Sequence, residues 1–270
     1  MSRRPLLLAA AALAAALTLS ACSGSASPSG TASAPSADGD LGLMSAGTLT
    51  VATEGTYRPF SYHDESGDLV GFDVEIAEAV ADELGLKVSF QETQWDAIFA
   101  GLDAGRFDVI ANQVSINPER EEKYLFSEPY TVSPGVIVVN EDDDSITSFD
   151  DLAGKTTAQS LTSNWYELAQ SSGATVEAVE GWAQAVALLQ QGRVDATIND
   201  NLTFLDYEKS EGPTGLKIAA ETDDPGLSAF ALTKDKEALA AAIDDALAAL
   251  RADGTLAKIS EKYFGEDVTQ

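Results

Sequence analysis

Hydrophobic and polar positions alternate along the chain in a way that predicts strands and helices in turn from Gly47 onward. The apolar runs at 48–53 (TLTVAT) and 135–140 (GVIVVN) are typical of buried strands. An apolar stripe that begins at Phe72 and recurs at every fourth residue to Leu84 indicates one face of a helix. Alternating β and α segments predict an α/β fold with parallel sheets and helices on both faces.

The same criterion predicts further elements along the rest of the chain. Further strands are predicted at 87–92, 107–112, 156–160, 175–179, 194–199, 216–220 and 227–233. Further helices are predicted at 95–104, 164–170, 236–252 and 255–264, and from Asn201. Pro118 suits the first position of another helix, with Asn117 as its N-cap.

One short pattern of Trp, Gly-Arg, Asp and Asn occurs twice with the same internal spacing. The copies are Trp95, Gly105, Arg106, Asp108, Asn112 and Trp182, Gly192, Arg193, Asp195, Asn199. Each copy indicates an amphipathic helix, a Gly-Arg stop and an apolar strand that ends at Asn. Two similar units predict two similar lobes, and folds of this class bind ligands in the crevice beyond their strand ends.

The two apolar strands that flank the second copy, at 135–140 and 227–233, suggest how the lobes are connected. If both cross between the lobes, the first lobe comprises 47–134 and 228–270, and the second comprises 135–227. The chain would then have a hinge of two strands.

The N-terminus has the features of an export signal, which we assign to residues 1–21. A basic start is followed by an apolar stretch at 6–19, which is too short for a convincing membrane span. It ends in Leu-Ser-Ala-Cys, which resembles a bacterial lipobox, so we expect Cys22 to be lipidated; the alternative is an ordinary cleavage site beside a stray cysteine. Residues 22–46, rich in Ser, Ala, Gly and Pro, are predicted to form a flexible tether. Two early arginines leave Sec and twin-arginine export open.

The charge and the cysteine content exclude several classes of protein. A formal net charge of −28 should repel phosphate backbones, so we expect no nucleic-acid partner. Cys22 is the only cysteine, so no intramolecular disulfide can form and the fold must rest on its core. We expect a monomer.

Catalytic and metal-binding motifs are scarce. His63 is the only histidine, which excludes a zinc site built on several histidines, and it lies in a polar turn typical of surface residues. The segment 154–156 (GKT) lacks the earlier glycine of a phosphate-binding loop, where Phe149 stands. The acidic run 141–144 lacks the spacing of a calcium loop. We therefore predict no catalytic residue, metal or cofactor.

Groups that could bind a small molecule follow the two repeat strands. Arg120, in the segment 115–120 (SINPER), offers a planar fork suited to a carboxylate, although it could instead cap its helix or pair with a neighbouring glutamate. Asp200 could accept hydrogen bonds from an ammonium group, although it could instead be the N-cap of the next helix. Tyr57 and Trp95 are expected at strand ends and favour a site, whereas the surroundings of Trp182 indicate packing.

Several segments, taken in order, resemble one known family. They are 52–60 (ATEGTYRPF), 71–76 (GFDVEI), 115–120 (SINPER), 124–130 (YLFSEPY), 151–155 (DLAGK) and the ending from 254 to 265. The chain from about 47 to 269 resembles the extracellular solute-binding proteins, family 3, of polar amino-acid ABC importers. The resemblance implies the two-lobed type II periplasmic-binding-protein fold, in which both lobes close on an amino acid.

The resemblance also implies a role for individual residues. Arg120 would hold the α-carboxylate, helped by Ser115 and the backbone near Gln113, and Asp200 would hold the α-ammonium. Tyr57 and Trp95 would sandwich the ligand's side chain, with Glu54 nearby. The second lobe would supply Gln159, Ser160, Thr162 and Ser163.

Within the family, the segments 93–96 (TQWD), 158–164 (AQSLTSN) and 264–269 (FGEDVT) look most like those of cystine-binding members. Glutamine-binding relatives often have Lys where this chain has the neutral Gln159. We therefore expect a lipid-anchored receptor on the outer face of the cytoplasmic membrane that passes L-cystine to a permease. The alternatives are another polar amino acid such as glutamine, an enzyme resembling cyclohexadienyl dehydratase, and a sensor module.

Overall fold

The computed structural model describes residues 41–270. The strands are β1 Thr48–Thr53, β2 Thr56–Tyr57, β3 Ser61–His63, β4 Leu69–Val70, β5 Lys87–Glu92, β6 Val109–Ser115, β7 Tyr124–Phe126, β8 Thr131–Ser133, β9 Gly135–Asn140, β10 Thr156–Gln159, β11 Thr175–Ala178, β12 Thr197–Asp200, β13 Leu216–Glu221 and β14 Gly226–Thr233. The helices are α1 Phe72–Glu83, α2 Trp95–Asp103, α3 Pro118–Lys123, α4 Asn164–Ser171, α5 Trp182–Gln190, α6 Asn201–Glu211, α7 Glu237–Ala252 and α8 Thr255–Phe264. A short 3-10 helix spans Phe149–Leu152.

A six-stranded sheet forms the larger lobe. Its order is β5-β1-β6-β14-β7, with β8 paired to β14. The strands β5, β1 and β6 are parallel, and β14 runs antiparallel to β6. Val109 and Ala111 pack with α1, α7 and α8, whereas Ile110 and Val114 pack with α2. Helices therefore cover both faces of the sheet, as the alternating pattern predicted.

The second lobe contains two smaller sheets. In one, β9 lies between β12 and β13, and in the other β10 pairs with β11. The pair β10-β11 is parallel, as predicted, but β9 is antiparallel to both of its neighbours. The prediction of a mostly parallel sheet is therefore corrected for this part of the fold. The cause is the connection between the lobes, because the chain enters along β9 and returns along the adjacent β13.

The chain crosses between the lobes twice, from β8 to β9 and from β13 to β14, which confirms a two-strand hinge. The pair β8-β14 belongs to the large sheet and the pair β9-β13 to the second lobe, so the chain crosses at Pro134 and again at 222–225. The predicted strands at 135–140 and 227–233 each lie in one sheet rather than spanning both. The predicted lobe boundaries, at 47–134, 135–227 and 228–270, remain a prediction.

The repeated pattern corresponds to a repeated local structure. Each copy places its glycine after the helix in the left-handed region, with φ of 63° at Gly105 and 66° at Gly192. Each copy also uses its aspartate to accept a backbone N–H from a strand in its own lobe, at 3.0 Å for Asp108 and 2.7 Å for Asp195. The repeat therefore preserves the connection from helix to strand in both lobes.

Most predicted elements are present, with small shifts of their ends. The structure confirms that Asn117 caps α3, since its Oδ1 accepts from the Arg120 N–H at 2.8 Å. The strands predicted at 107–112 and 194–199 begin later, as β6 and β12. The small sheet β2-β3-β4 lies in a polar segment whose pattern did not predict strands.

The N-terminal predictions fall largely outside the described residues. Residues 1–21, Cys22 and the tether as far as residue 40 are among those not described. The last part of the predicted tether is corrected, because Leu41 and Leu43 pack against the large-sheet core and the Met44 N–H donates to Asp108 at 2.8 Å. Between residues 41 and 270, no helix is both long and apolar enough to cross a membrane.

Candidate functional site

A cavity of about 360 Å³ is lined by residues from both lobes. This volume falls near the lower end of the range for small-molecule sites, roughly 300–1,000 Å³. Seven of the predicted site residues line it: Glu54, Tyr57, Trp95, Gln113, Gln159, Ser160 and Ser163. Ser115, Arg120, Thr162 and Asp200 do not line it. Arg120 lies over Trp95, Thr162 and Asp200 are next in sequence to lining residues, and Ser115 contacts Arg120.

Arg120 lies behind Trp95 and is only 8% exposed. One guanidinium nitrogen donates to the Ser115 carbonyl at 3.0 Å and another to the Thr162 carbonyl, in the second lobe, at 3.4 Å. The guanidinium carbon is 5.4 Å from the Trp95 ring centre and 5.3 Å from that of Phe99. Burial lowers the pKa of Arg120 to about 10, so the group remains charged at neutral pH. The structure thus brings the predicted Ser115, Arg120 and Thr162 together.

Asp200 performs the capping role that was its alternative interpretation. Its Oδ1 accepts from the Leu202 N–H at 2.8 Å, at the start of α6, and from the Ser133 hydroxyl at 2.7 Å. Burial raises the pKa of this carboxyl to about 6, and these two hydrogen bonds oppose the rise. Among the described residues, no cation forms an ion pair with Asp200. A cationic group of a ligand would therefore find an uncompensated carboxylate there.

Gln113 has an unusual backbone conformation that a buried acid supports. Its φ is 49°, the only positive value at a non-glycine residue between 41 and 270. The fully buried Asp73 accepts from the Gln113 N–H at 2.6 Å and from its side-chain amide at 2.6 Å. Burial raises the pKa of Asp73 to about 7. The sequence reasoning missed Asp73, because α1 shows only an apolar stripe and the bond spans forty residues.

Tyr57 connects the lobes through its hydroxyl. It donates to Asn199 Oδ1 at 2.8 Å and accepts from the Thr203 hydroxyl at 3.1 Å. Burial, followed by the nearby Asp200, raises the pKa of Tyr57 well above its ordinary value. Tyr57 is therefore a neutral hydrogen-bonding group at the site.

Further hydrogen bonds cross between the lobes near the start of α2. The Gln94 amide donates to the Glu180 carboxylate at 2.6 Å, and both residues line the cavity. The Thr162 hydroxyl donates to the Asp96 carboxylate at 2.8 Å. The lobes are thus in contact on the side of the cavity where α2 begins.

Glu54 supplies an acid to the cavity whose charge depends on pH near neutrality. Its carboxylate accepts from the Asn112 amide at 2.7 Å. Burial raises the pKa of Glu54 to about 7, more than its hydrogen bonds lower it. Among the residues that line the cavity there is no lysine or arginine.

The sequence analysis also missed several lining residues, above all Trp165 and Trp182. Trp182 was interpreted as packing, although it occupies the repeat position of Trp95, and that correspondence was the signal that could have identified it. Asn112 and Asn199, which end the two repeat copies, also line the cavity. The repeat therefore marks lining residues as well as scaffold.

His63 lies apart from the cavity, on the surface. Its ring is within 3.0 Å of the Glu92 carboxylate, and this contact raises the pKa of the imidazole. Among residues 41–270 there is no group of three or more His, Cys, Asp or Glu side chains that could hold a metal ion.

Comparison with known proteins assigns the family. The model of "bacterial extracellular solute-binding proteins, family 3" matches residues 49–266. This chain belongs to that family. It is 52% identical over 236 residues to the L-cystine-binding protein TcyA of Bacillus subtilis, covering 86% of this chain and 88% of that protein.

Two solved structures show the same two-lobed fold. The L-cystine solute receptor of Neisseria gonorrhoeae, in its unliganded open conformation, is 48% identical with a TM-score of 0.58, covering 83% of this chain and 95% of the receptor. An ancestral arginine-binding protein bound to arginine is 38% identical with a TM-score of 0.76, covering 81% and 99%. The less similar sequence gives the better superposition, which agrees with the contacts between the lobes in this structure.

Proposed function

We propose that this protein binds L-cystine outside the cell and delivers it to the permease of an ABC importer. The observation that carries the proposal is a cavity between two lobes, in a chain about half identical to cystine-binding proteins. The buried Arg120 lies over Trp95, which lines the cavity, and Asp200 follows the lining residue Asn199 in sequence. An amino acid has one carboxylate and one ammonium group, and the two side chains match these charges.

Burial of a charge without an opposite charge costs free energy, so Arg120 and Asp200 suit a zwitterionic ligand that pairs with both. Arg120 uses two nitrogens for backbone carbonyls and keeps further donors for a carboxylate. Asp200 has its Oδ1 engaged and no cationic partner among the described residues. A ligand that pairs with both would offset part of their desolvation penalty.

The direct test is a thermal-shift screen of the purified protein against single amino acids and L-cystine. Ligand that binds the native state alone raises the melting temperature by an amount that follows its concentration relative to Kd. We expect the largest shift with L-cystine and smaller shifts with glutamine and arginine. A larger shift with glutamine would overturn L-cystine as the ligand, while the protein would still be an amino-acid-binding receptor.

We also propose that the chain is a receptor and not an enzyme. Its close relatives are transport binding proteins, whereas dehydratases of this fold act on a carboxylated ring. Incubation with prephenate or arogenate should therefore yield no aromatic product. Formation of that product, measured by its absorbance in the ultraviolet, would overturn the receptor proposal and indicate an enzyme.

The proposal includes an anchor at Cys22, which lies outside the described residues. Lipidation there would keep the receptor at the outer face of the cytoplasmic membrane. In cells that express the protein, the Cys22→Ser variant should leave the membrane fraction, or remain there as the unprocessed precursor without incorporated lipid. Membrane-bound, lipid-labelled protein in the variant would contradict the anchor.

A single species of monomer mass is expected in light scattering.

A further inference from the structure

The chain has three tryptophans, and all three line the cavity. Trp95 belongs to the large-sheet lobe, whereas Trp165 and Trp182 belong to the second lobe. Trp95 is the first residue of α2, and Trp182 is the first residue of α5. The two copies of the repeat therefore present an indole to the same cavity from opposite lobes.

The surroundings of Trp95 and Trp182 are alike in two measurable ways. Each ring meets another aromatic ring edge to face, Trp95 with Phe99 at 5.6 Å and 84°, and Trp182 with Tyr207 at 5.8 Å and 86°. Each indole nitrogen is buried and has no hydrogen-bond partner among the described residues. Aromatic pairs of this geometry hold a ring in a fixed orientation, so both indoles are preorganised walls.

The part of the cavity beside Trp182 differs from the part that would hold the charged groups of an amino acid. Val179, Ala183 and Ala185 line it together with Trp182, next to the carboxylate of Glu180. The two charged residues of the proposed function are adjacent to other lining residues, since Arg120 lies over Trp95 and Asp200 follows Asn199 in sequence. The cavity thus provides an apolar and aromatic region beyond what one carboxylate and one ammonium group require.

A ligand that fills this region needs a long, polarisable middle and a polar far end. Divalent sulfur contacts aromatic rings favourably. A volume of about 360 Å³ corresponds to roughly a dozen water-sized groups. A ligand of two amino-acid heads joined through sulfur fits both features, whereas a single-headed amino acid fills less of the cavity.

We propose that Trp182 is a specificity-determining wall of the cavity that selects two-headed, sulfur-linked amino acids over single-headed ones. The inference rests on the proposed function, because it concerns the same cavity and the same ligand. The inference assigns the preference for two-headed over single-headed ligands to one residue of the second lobe, Trp182. The contacts of the first head, through Arg120 and Asp200, are independent of it.

The test is titration calorimetry of the purified protein with L-cystine, L-cystathionine and S-methyl-L-cysteine. The first two have two heads, joined by a disulfide and a thioether, and the third keeps one head and its sulfur. The variants are Trp182→Ala, which removes the wall, and Trp182→Phe, which keeps a ring. Tyr166→Ala is the matched control, because it removes an aromatic side chain from the same lobe that does not line the cavity.

We expect Trp182→Ala to bind L-cystine and L-cystathionine about tenfold or more weakly, since buried aromatic contacts are frequent hot spots. Affinity for S-methyl-L-cysteine should change less than about threefold. Trp182→Phe should retain most of the preference for two heads, and Tyr166→Ala should retain all of it. Melting temperatures of the variants without ligand establish that each is folded.

The outcomes separate this inference from the proposed function. If the wild type binds no two-headed ligand, the proposed function fails. If the wild type binds L-cystine and folded Trp182→Ala keeps the same preference for two heads, the role of Trp182 is overturned. Equal losses for all three ligands in Trp182→Ala would also overturn it, because they would show a general effect on lobe closure.

Discussion

At the scale of single residues, the proposed site depends on two charged groups that are buried without the usual opposite charge. Arg120 is held by carbonyl groups and aromatic rings, and Asp200 by a hydroxyl and a helix N-terminus. Sequence reasoning proposed both residues because each follows a repeat strand. It could not predict all of their contacts, since the Thr162 carbonyl that Arg120 contacts lies in the other lobe and the Ser133 hydroxyl that Asp200 contacts lies beside the hinge.

Removal of the guanidinium should abolish detectable amino-acid binding. Arg120→Ala deletes the guanidinium that lies over the Trp95 ring and would leave a carboxylate of the ligand unpaired. Calorimetry should show no heat of binding, while circular dichroism shows a native fold. Affinity close to that of the wild type would contradict the site assignment.

Asp73 provides a second prediction, because it acts through Gln113 and contacts the cavity only indirectly. Asp73→Asn removes one acceptor for the two N–H donors of Gln113, so the strained φ of 49° loses part of its support. We expect the Kd for L-cystine to rise about tenfold or more, in a protein that still folds.

Asp108→Asn is the matched control for that prediction. Asp108 is equally buried and also accepts backbone N–H groups, but it lies at the opposite end of β6 from Gln113. This variant should melt at a lower temperature without a change in Kd. If both variants weaken binding equally, Asp73 has only a general structural role.

At the scale of elements, the local pattern predicted the helices better than the sheets. The stripe from Phe72 to Val80 and the cap at Asn117 depend on neighbours within one or two turns, and both are present in the structure. Strand partners and directions depend on distant residues. The antiparallel setting of β9 follows from the hinge, which no local pattern contains.

The cap of α3 gives the prediction at this scale. Asn117→Ala removes the acceptor for the Arg120 N–H and should lower the free energy of unfolding by about 1 kcal/mol, with a range of roughly 0.5–2 kcal/mol. Urea unfolding, monitored by circular dichroism, measures this change in the free energy of unfolding. Asn117→Asp should restore the stability, and an alanine variant as stable as the wild type would show that the cap is unimportant.

At the scale of the whole molecule, an acidic chain contains a cavity in which the acid Glu54 is partly protonated near neutrality. Burial raises the pKa of Glu54 to about 7, above its ordinary 4.5. Because the folded pKa is higher than the unfolded one, stability from Glu54 is present below about pH 4.5 and is lost as the pH rises through 7.

Glu54→Gln should therefore be more stable than the wild type at pH 8, and this advantage should disappear toward pH 5. Thermal unfolding of both proteins without ligand across this range measures the difference. A difference that does not change with pH would show that Glu54 is ionised throughout. The isosteric change keeps the side-chain volume, so packing alone does not produce a pH-dependent difference.

Local sequence was sufficient for the order of strands and helices, the repeat and the family to which the chain belongs, and it proposed Arg120 and Asp200 as binding residues. These depend on spacing and on short motifs, which are present in the sequence whatever the tertiary structure. Tertiary structure decided the place of Trp182 in the cavity lining, the support of Gln113 by Asp73 and the direction of β9. Each of these depends on side chains or strands that are far apart in sequence, and only the packing of two lobes across a hinge brings them together.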